Sequence, residues 1–310
     1  MATFTMLVGL PASGKTTYSL NQLKANGNAA WISSDGIRAT LFGSESVQDN
    51  TEQIFSTMFK MTVRALLDNK DVIYDATNLS RKLRINTLER LEKAVHIPFV
   101  KRAIVFYTDL KVLLSRNEAR ERTVPSYVIS RMLKSFDLPV YGEGWNIISV
   151  NYVTKPSLNW KDAVDYYAKG LPHENPHHKL DVDVHMRSAH QYLLDNYSDF
   201  PSYVEKATLL HDIGKKFCKT FTNRRGETTE VAHYYQHANV GAYLALGIDF
   251  EEKEQDKYKA AILINYHMRP LEAWKDSAKA EKKDASLLKE ELYENLKILT
   301  NCDRSCEEDV

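Results

Sequence analysis

Thr3-Phe4-Thr5-Met6-Leu7-Val8-Gly9-Leu10-Pro11-Ala12-Ser13-Gly14-Lys15-Thr16 is the stretch that decides the fold of the first half of this 310-residue chain. Residues 3–8 are an apolar, β-prone run. Residues 9–16 match GxxxxGK[ST], and a segment with helical spacing follows. A strand that turns through glycines into a helix aims backbone N–H groups and the positive helix end at one spot, where a phosphate chain binds. There Lys15 would reach the β- and γ-phosphates and the Thr16 hydroxyl would bind Mg²⁺. Gly9, Ser13, Gly14 and Thr17 complete the expected cradle for ATP, or another NTP, with Mg²⁺. A glycine-rich turn matching by chance is the competing reading, and the strand–loop–helix setting argues against it.

Outward from this loop, the strand-like runs AAWISSD (29–35), DVIYDATN (71–78) and RAIVFYT (102–108) alternate with helical patterns over 50–68, 81–95, 109–122 and 126–136. That alternation predicts an α/β domain, a parallel sheet with helices on both faces, and a ligand crevice beyond the carboxyl ends of the strands. Asp35 and Asp75 each close a strand and fall in that crevice. Asp35 would orient and deprotonate an attacking hydroxyl, while Arg38, three residues on, would grip a phosphate of the same acceptor. Asp35 also suits a helix N-cap or an outer-sphere magnesium contact. Arg116 and Arg120 stand at i,i+4 on a predicted helix, the spacing of a lid over triphosphate and equally of solvated arginines.

The second half differs in composition. The formal charge of zero, from 41 basic and 41 acidic residues, splits into 19 Lys/Arg against 14 Asp/Glu in residues 1–150 and 22 against 27 beyond. Within residues 81–134 the balance is 13 to 5, a local excess suited to phosphate-rich partners. Nine of the ten histidines lie between His173 and His267, which suggests a metal centre confined to this half. Irregular Gly, Pro and Asn over residues 140–175 mark the seam, giving domains of 1–150 and 172–310 joined by a linker of 151–171. The charged stretch 275–291 reads as a solvated helix or loop. Cys218, Cys302 and Cys306 include no CxxC pair, so neither a disulfide framework nor a zinc knuckle is expected; Cys302 and Cys306 read as packing residues at i,i+4. No apolar run approaches the roughly 18 residues of a membrane span, and the start lacks a signal-peptide pattern. A cytoplasmic protein without a membrane partner is the expectation. The sequence carries no signal for oligomeric state.

Five segments of this half carry candidate ligands: His185 in VDVHMRSAH, His211 and Asp212 in VEKATLLHDIGKK, His237 in HYYQHANVG, His267 in AILINYHMRP and Asp303 in LKILTNCD. Leu292, Leu296, Leu299 and Asp303 share one helical face, so Asp303 points inward, where an unpaired carboxylate is costly and a metal would satisfy it. Neighbouring His211 and Asp212 differ by about 100° around a helix, so a site touched by both lies between them. His233 competes with His237, four residues away. His173, His177, His178 and His190 read as hydrogen-bonded core residues. Lys215 could help neutralise a phosphate or could be a surface lysine past a helix end.

GLPASGKT, SSDGIR, DATN and SRNEARERTVP, in that order, resemble the 5′-hydroxyl polynucleotide kinases of the phage end-healing type over about the first 140 residues. The resemblance implies Lys15 and Thr16 as triphosphate–Mg²⁺ ligands and Asp35 as general base. It further implies Arg38 as the contact to the phosphate 3′ of the acceptor nucleotide, Arg116 and Arg120 as lid, and Thr77 on the acceptor side. Over residues 172–310 the pattern H…HD…H…H…D resembles the HD phosphohydrolases, an all-α fold. That resemblance implies one divalent ion held by His185, His211, Asp212 and Asp303, and a second held by Asp212, His237 and His267, the ions being Mn, Ni, Co, Fe or Zn. Jointly the halves resemble the HD-containing bifunctional polynucleotide kinases of bacteria, with the two units in the opposite order. The implied function is end healing of RNA or DNA: 5′-hydroxyl phosphorylation plus hydrolysis of a 2′,3′-cyclic phosphate, or of a 2′- or 3′-phosphate, ahead of a ligase. Two alternatives stand beside it, a small-molecule or nucleoside kinase joined to an HD nucleotide phosphohydrolase, and a P-loop sensor regulating an HD phosphodiesterase.

Overall fold

A computed structural model describes residues 1–44, 50–176 and 179–305, so Cys306, His177 and His178 lie outside the described residues. The chain separates into two units, one of residues 1–132 and 139–154, the other of 133–138 and 155 onward.

In the first unit the elements run β1 (Thr3–Val8), α1 (Lys15–Ala25), β2 (Ala29–Ser33), α2 (Ser34–Phe42), α3 (Thr51–Leu67), β3 (Asp71–Asp75), α4 (Arg81–Ala94), β4 (Val100–Tyr107), α5 (Leu110–Glu118), α6 (Ser126–Lys134) and β5 (Ile147–Tyr152). The strands form one sheet of order β2-β3-β1-β4-β5, parallel throughout. Strand periodicity sends alternate residues to opposite faces. On one face Leu7, Ile73, Ile104 and Phe106 form a cluster that Tyr18 of α1 joins, edge-on to Phe106. On the other lie Phe4 and Tyr74, while α3 packs on β3 and the Arg90 guanidinium of α4 covers the Phe59 ring of α3. The chain leaves β1 toward β2 but leaves β3 toward β4 on the opposite side, so the sheet switches direction beside the end of β1. In such sheets that crevice takes the ligand.

Three local differences from the sequence reading have clear causes. Asp35 does not close β2; the strand ends at Ser33, whose Oγ accepts from Gly36 N (3.3 Å) and caps α2, leaving Asp35 in the first helical turn. A carboxylate there is favoured by the helix dipole. α5 stops at Glu118, because the Asn117 side chain donates to Val124 O (2.8 Å) and accepts from Val124 N (3.0 Å), folding the following turn back. β5, hidden among the glycines of the seam, pairs with β4 and completes the sheet.

The second unit is mostly helical. It contains β6 (Leu158–Asn159), α7 (Trp160–Ala168), α8 (Val182–Asn196), α9 (Ser202–Leu210), α10 (Lys215–Cys218), β7 (Thr220–Thr222), β8 (Thr228–His233), α11 (His237–Ala245), β9 (Ile248–Asp249), α12 (Glu254–Tyr266) and α13 (Ala278–Ser305). Two small pairings interrupt the helices, parallel β6–β9 and the antiparallel β7–β8 hairpin, neither of which an all-α reading contains. Helix α7 falls within the stretch read as a linker; its Trp160, Ala163, Val164 and Ala168 are buried at i, i+3, i+4 and i+8, an amphipathic face. The charged stretch 275–291 also has a buried member, Asp284, which accepts from Arg269 Nε (2.8 Å) and Trp274 Nε1 (2.9 Å). Cys218 and Cys302 are buried free thiols, and burial pushes Cys218 up to about 11. Among the described residues no helix is long and apolar enough to cross a membrane.

Candidate active sites

The loop between β1 and α1 forms the floor of a cleft of about 1240 Å³. Gly14 caps α1 at φ +89°, a conformation costly for a residue with Cβ, and an added Cβ would meet Val153 at 3.2 Å. Ser13, Gly14, Lys15, Thr16 and Thr17 line the cleft. Gly9 is buried behind it, where its N–H donates to Thr77 O (3.0 Å) and ties the loop to the segment after β3. Lys15 Nζ donates to Gly9 O (2.9 Å) and Leu10 O (2.7 Å). Burial pushes Lys15 down to about 8, against the upward pull of Asp75 and Asp35, with Arg120 lowering it further. Asp75, buried beneath the loop, accepts from Trp31 Nε1 (3.1 Å) and Ser19 Oγ (3.4 Å). Burial raises Asp75, and Lys15 offsets part of that rise.

On the wall of the same cleft Arg38 Nη1 donates to Asp35 Oδ1 (2.8 Å), and Arg122 approaches the same oxygen (3.6 Å). The buried Nε of Arg38 has no hydrogen-bond partner among the described residues. Arg116 and Arg120 both line the cleft, although Arg120 lies past the end of α5. Arg122 and Arg131, which the sequence reading passed over, line it too. Among the described residues the lining thus holds six cationic side chains against two carboxylates, Asp35 and Asp75, so it favours a polyanion. Arg122 sits in an irregular turn and Arg131 alone on α6, so neither carries a spacing signal in the sequence.

The second unit assembles a separate centre from five helices and the turns that follow two of them. His185 of α8, His211 and Asp212 just after α9, His237 opening α11, His267 just after α12 and Asp303 of α13 are all buried. His185 Nε2 lies 3.1 Å from His211 Nε2 and 3.0 Å from Asp303 Oδ1, and His211 Nε2 lies 3.3 Å from the same oxygen. His237 and His267 bring their Nε2 atoms to 3.0 Å. Asp212 spans the two groups: Oδ2 faces His211 (3.4 Å) and Oδ1 faces His237 (3.1 Å). His211, His237 and His267 each place Nδ1 2.7–2.8 Å from the carbonyl three residues earlier, so Nδ1 is the donor and, in the neutral ring, Nε2 carries the lone pair. Two lone pairs 3.0 Å apart repel unless a cation lies between them. The donor set therefore fits divalent metal, in two groups that share Asp212.

Electrostatics agree. Burial alone would raise Asp212 and Asp303, but Lys215 and His211 hold Asp212 well below the usual carboxylate range, and His211 and His185 do the same for Asp303. For His211 burial pulls downward, and Asp212 and Asp303 outweigh it, raising the imidazole to about 10. A metal would replace that proton.

His233 stays outside this centre, stacked on Tyr235. His190 pairs with Glu205 (3.1 Å), an ordinary hydrogen-bonded histidine. His173 is different: its Nε2 lies 2.8 Å from Lys215 Nζ, which in turn lies 2.5 Å from Asp212 Oδ2. Lys215 is thus a buried member of the centre, and His173 its neighbour. No local pattern in the sequence distinguishes His173 from a packing histidine.

Residues 4–139 match the AAA domain family, and residues 182–306 match the HD domain family. The chain joins a P-loop kinase domain to an HD domain. Among curated relatives it is similar to the L-seryl-tRNA(Sec) kinase of Methanococcus maripaludis, 25% identical over 186 residues that cover 57% of this chain and 69% of the relative. Among solved structures it is similar to a chain of the Pnkp1/Rnl/Hen1 RNA repair complex, with 21% identity, a TM-score of 0.37 and 43% of each chain covered. It is also similar to a gluconokinase from Sinorhizobium meliloti, with 17% identity, a TM-score of 0.34, and 50% of this chain and 84% of that chain covered. The chain spans less than half the length of the RNA-repair chain it matches.

Proposed function

We propose that this chain is a bifunctional, cytoplasmic end-healing enzyme for RNA or DNA. The kinase domain phosphorylates a 5′-hydroxyl end from ATP or another NTP, and the HD domain hydrolyses a 2′,3′-cyclic phosphate or a 2′- or 3′-phosphate. The Asp35–Arg38 pair carries the reading: it sits on the wall of the triphosphate cleft, and Arg38 Nε has no hydrogen-bond partner among the described residues. An acceptor hydroxyl beside Asp35 loses its proton to that carboxylate as its oxygen bonds the γ-phosphorus, and the bond to the β-phosphate oxygen breaks. Arg38 holds the next phosphate of the acceptor strand, a group that free alcohols lack. Lys15, Arg116 and Arg120 neutralise the transferring group, and Thr16 holds Mg²⁺.

In the HD domain His185, His211, Asp212 and Asp303 hold one divalent ion, and Asp212, His237 and His267 a second. Such ions supply Lewis acidity and lower the pKa of water. Asp212 orients both groups at once, and Lys215 presents a positive charge to the phosphate. The products, a 5′-phosphate and a 3′-hydroxyl, are the pair that a ligase joins.

The similarity to L-seryl-tRNA(Sec) kinase favours a second reading, in which the kinase domain phosphorylates an alcohol other than a polynucleotide 5′ end. An RNA carrying 5′-hydroxyl and 2′,3′-cyclic phosphate ends, incubated with γ-labelled ATP, separates the two. Label is expected at the 5′ end with the wild type and lost in Asp35→Ala, which still binds ATP. Label on free nucleosides alone, or undiminished turnover by Asp35→Ala, would overturn the proposal.

A further inference from the structure

His233 ends the strand that leads into His237, yet it takes no part in the metal-ligand set. Its ring stacks on Tyr235 with the planes 10° apart and the centres separated by 5.2 Å. The Arg224 guanidinium lies over the same tyrosine ring, 5.1 Å from its centre. Arg224 and Arg225 are exposed in the turn of the β7–β8 hairpin, and among the described residues neither is paired with a carboxylate. Phe221, on β7, is 40% exposed.

The stack is held by its surroundings. Thr229 Oγ1 lies 3.1 Å from His233 Nε2, Ala232 N donates to Glu174 O (2.8 Å), and the Asn175 amide donates to Ala232 O (3.0 Å). Tyr234, between the stacked residues, serves the catalytic centre instead. Its hydroxyl donates to His173 O, and its ring faces Lys215 Nζ at 5.5 Å. Tyr234 thus attends Lys215, while His233, Tyr235 and Arg224 form an imidazole–phenol–guanidinium stack.

We infer that this stack is the platform on which the terminal bases of a single-stranded polynucleotide lie while its end phosphate occupies the histidine–aspartate centre. A stacked aromatic pair with a guanidinium accepts any base by its π-face, and the unpaired arginines attract the phosphates between bases. A packing role would bury these groups, and a structural ion pair would give the arginines carboxylate partners. The inference rests on the phosphoesterase reading above and deepens it by assigning the residues that would hold the terminal bases of the polynucleotide end.

The test uses the full chain loaded with Mn²⁺ and a short single-stranded RNA that carries 4-thiouridine next to a 2′,3′-cyclic phosphate. Photocrosslinking is expected to label the peptide spanning 221–235. Tyr235→Ala should raise KM for this RNA about tenfold, the effect of losing one base stack. Hydrolysis of a base-free ribose 2′,3′-cyclic phosphate should be unchanged, and Tyr235→Trp should restore the RNA KM. Crosslinks confined to other peptides, an unchanged RNA KM in Tyr235→Ala, or equal losses on both substrates would each overturn the platform. Absence of hydrolysis by the wild type would instead remove the phosphoesterase reading, while the crosslink would still report on the platform.

Discussion

Lys15 shows how one residue couples burial to binding. In the free protein burial brings it down to about 8, whereas an unfolded lysine titrates at 10.5. The native state therefore gives up this proton first as pH rises. Its contribution to stability is least where Lys15 is charged in both states, below pH 8, and climbs between pH 8 and 10.5 by on the order of 3 kcal/mol. A triphosphate brings negative charge to Nζ and restores the ordinary value, so nucleotide binding above pH 8 takes up a proton. Calorimetry near pH 9, in two buffers of different ionisation heat, should register this uptake, and Lys15→Met should abolish it. At the same scale, the residues that gather as candidate metal ligands were legible in the sequence, but the orientation of their rings was not. That orientation lies in Nδ1–carbonyl contacts at His211, His237 and His267, set by where each helix ends.

Elements place these donors through close approaches that side chains would prevent. A Cβ added to Gly214 would lie 2.1 Å from His237 O and 2.6 Å from Gly241 N, so the turn after α9 meets the start of α11 at backbone contact. This approach brings Asp212 to His237. Gly214→Ala should push α11 away, cost at least about 1–3 kcal/mol of stability and lower metal content at the His237–His267 group first. Thermal unfolding and metal analysis of the purified variant would check both effects. In the kinase domain a buried pair has a comparable positioning role. Arg84 of α4 donates to Glu143 (2.7 and 2.9 Å) and to the carbonyls of Asn78 (3.1 Å) and Leu79 (2.9 Å), fixing the loop that carries Thr77. Strands β1 to β4 stand out as short apolar runs, with β1, β3 and β4 buried on both faces, and helices α3, α4 and α6 follow the helical periodicity because each buries one face. α2 and β5 do not announce themselves, one nine residues long and started by a serine cap, the other set among glycines.

At the scale of the molecule, the zero net charge joins a basic and an acidic half, and the two chemistries sit in separate units. His211→Ala or Asp212→Ala should remove bound transition metal and phosphoesterase activity while 5′-kinase turnover stays at the wild-type level. Metal analysis and the two end-group assays read this directly; a parallel loss of kinase activity would show that the sites are coupled. The sequence by itself determined the phosphate loop, the parallel α/β architecture and the histidines and aspartates that are the candidate metal ligands. Those depend on local spacing, and neighbouring residues carry the whole signal. Only the tertiary structure chose His237 over His233, drew His173 onto Lys215, and split the Asp212 carboxylate between two histidine pairs. Each of those depends on helices far apart in sequence ending at one point in space. Backbone contact at Gly214 and the burial of charge, not any local pattern, decide where that point lies.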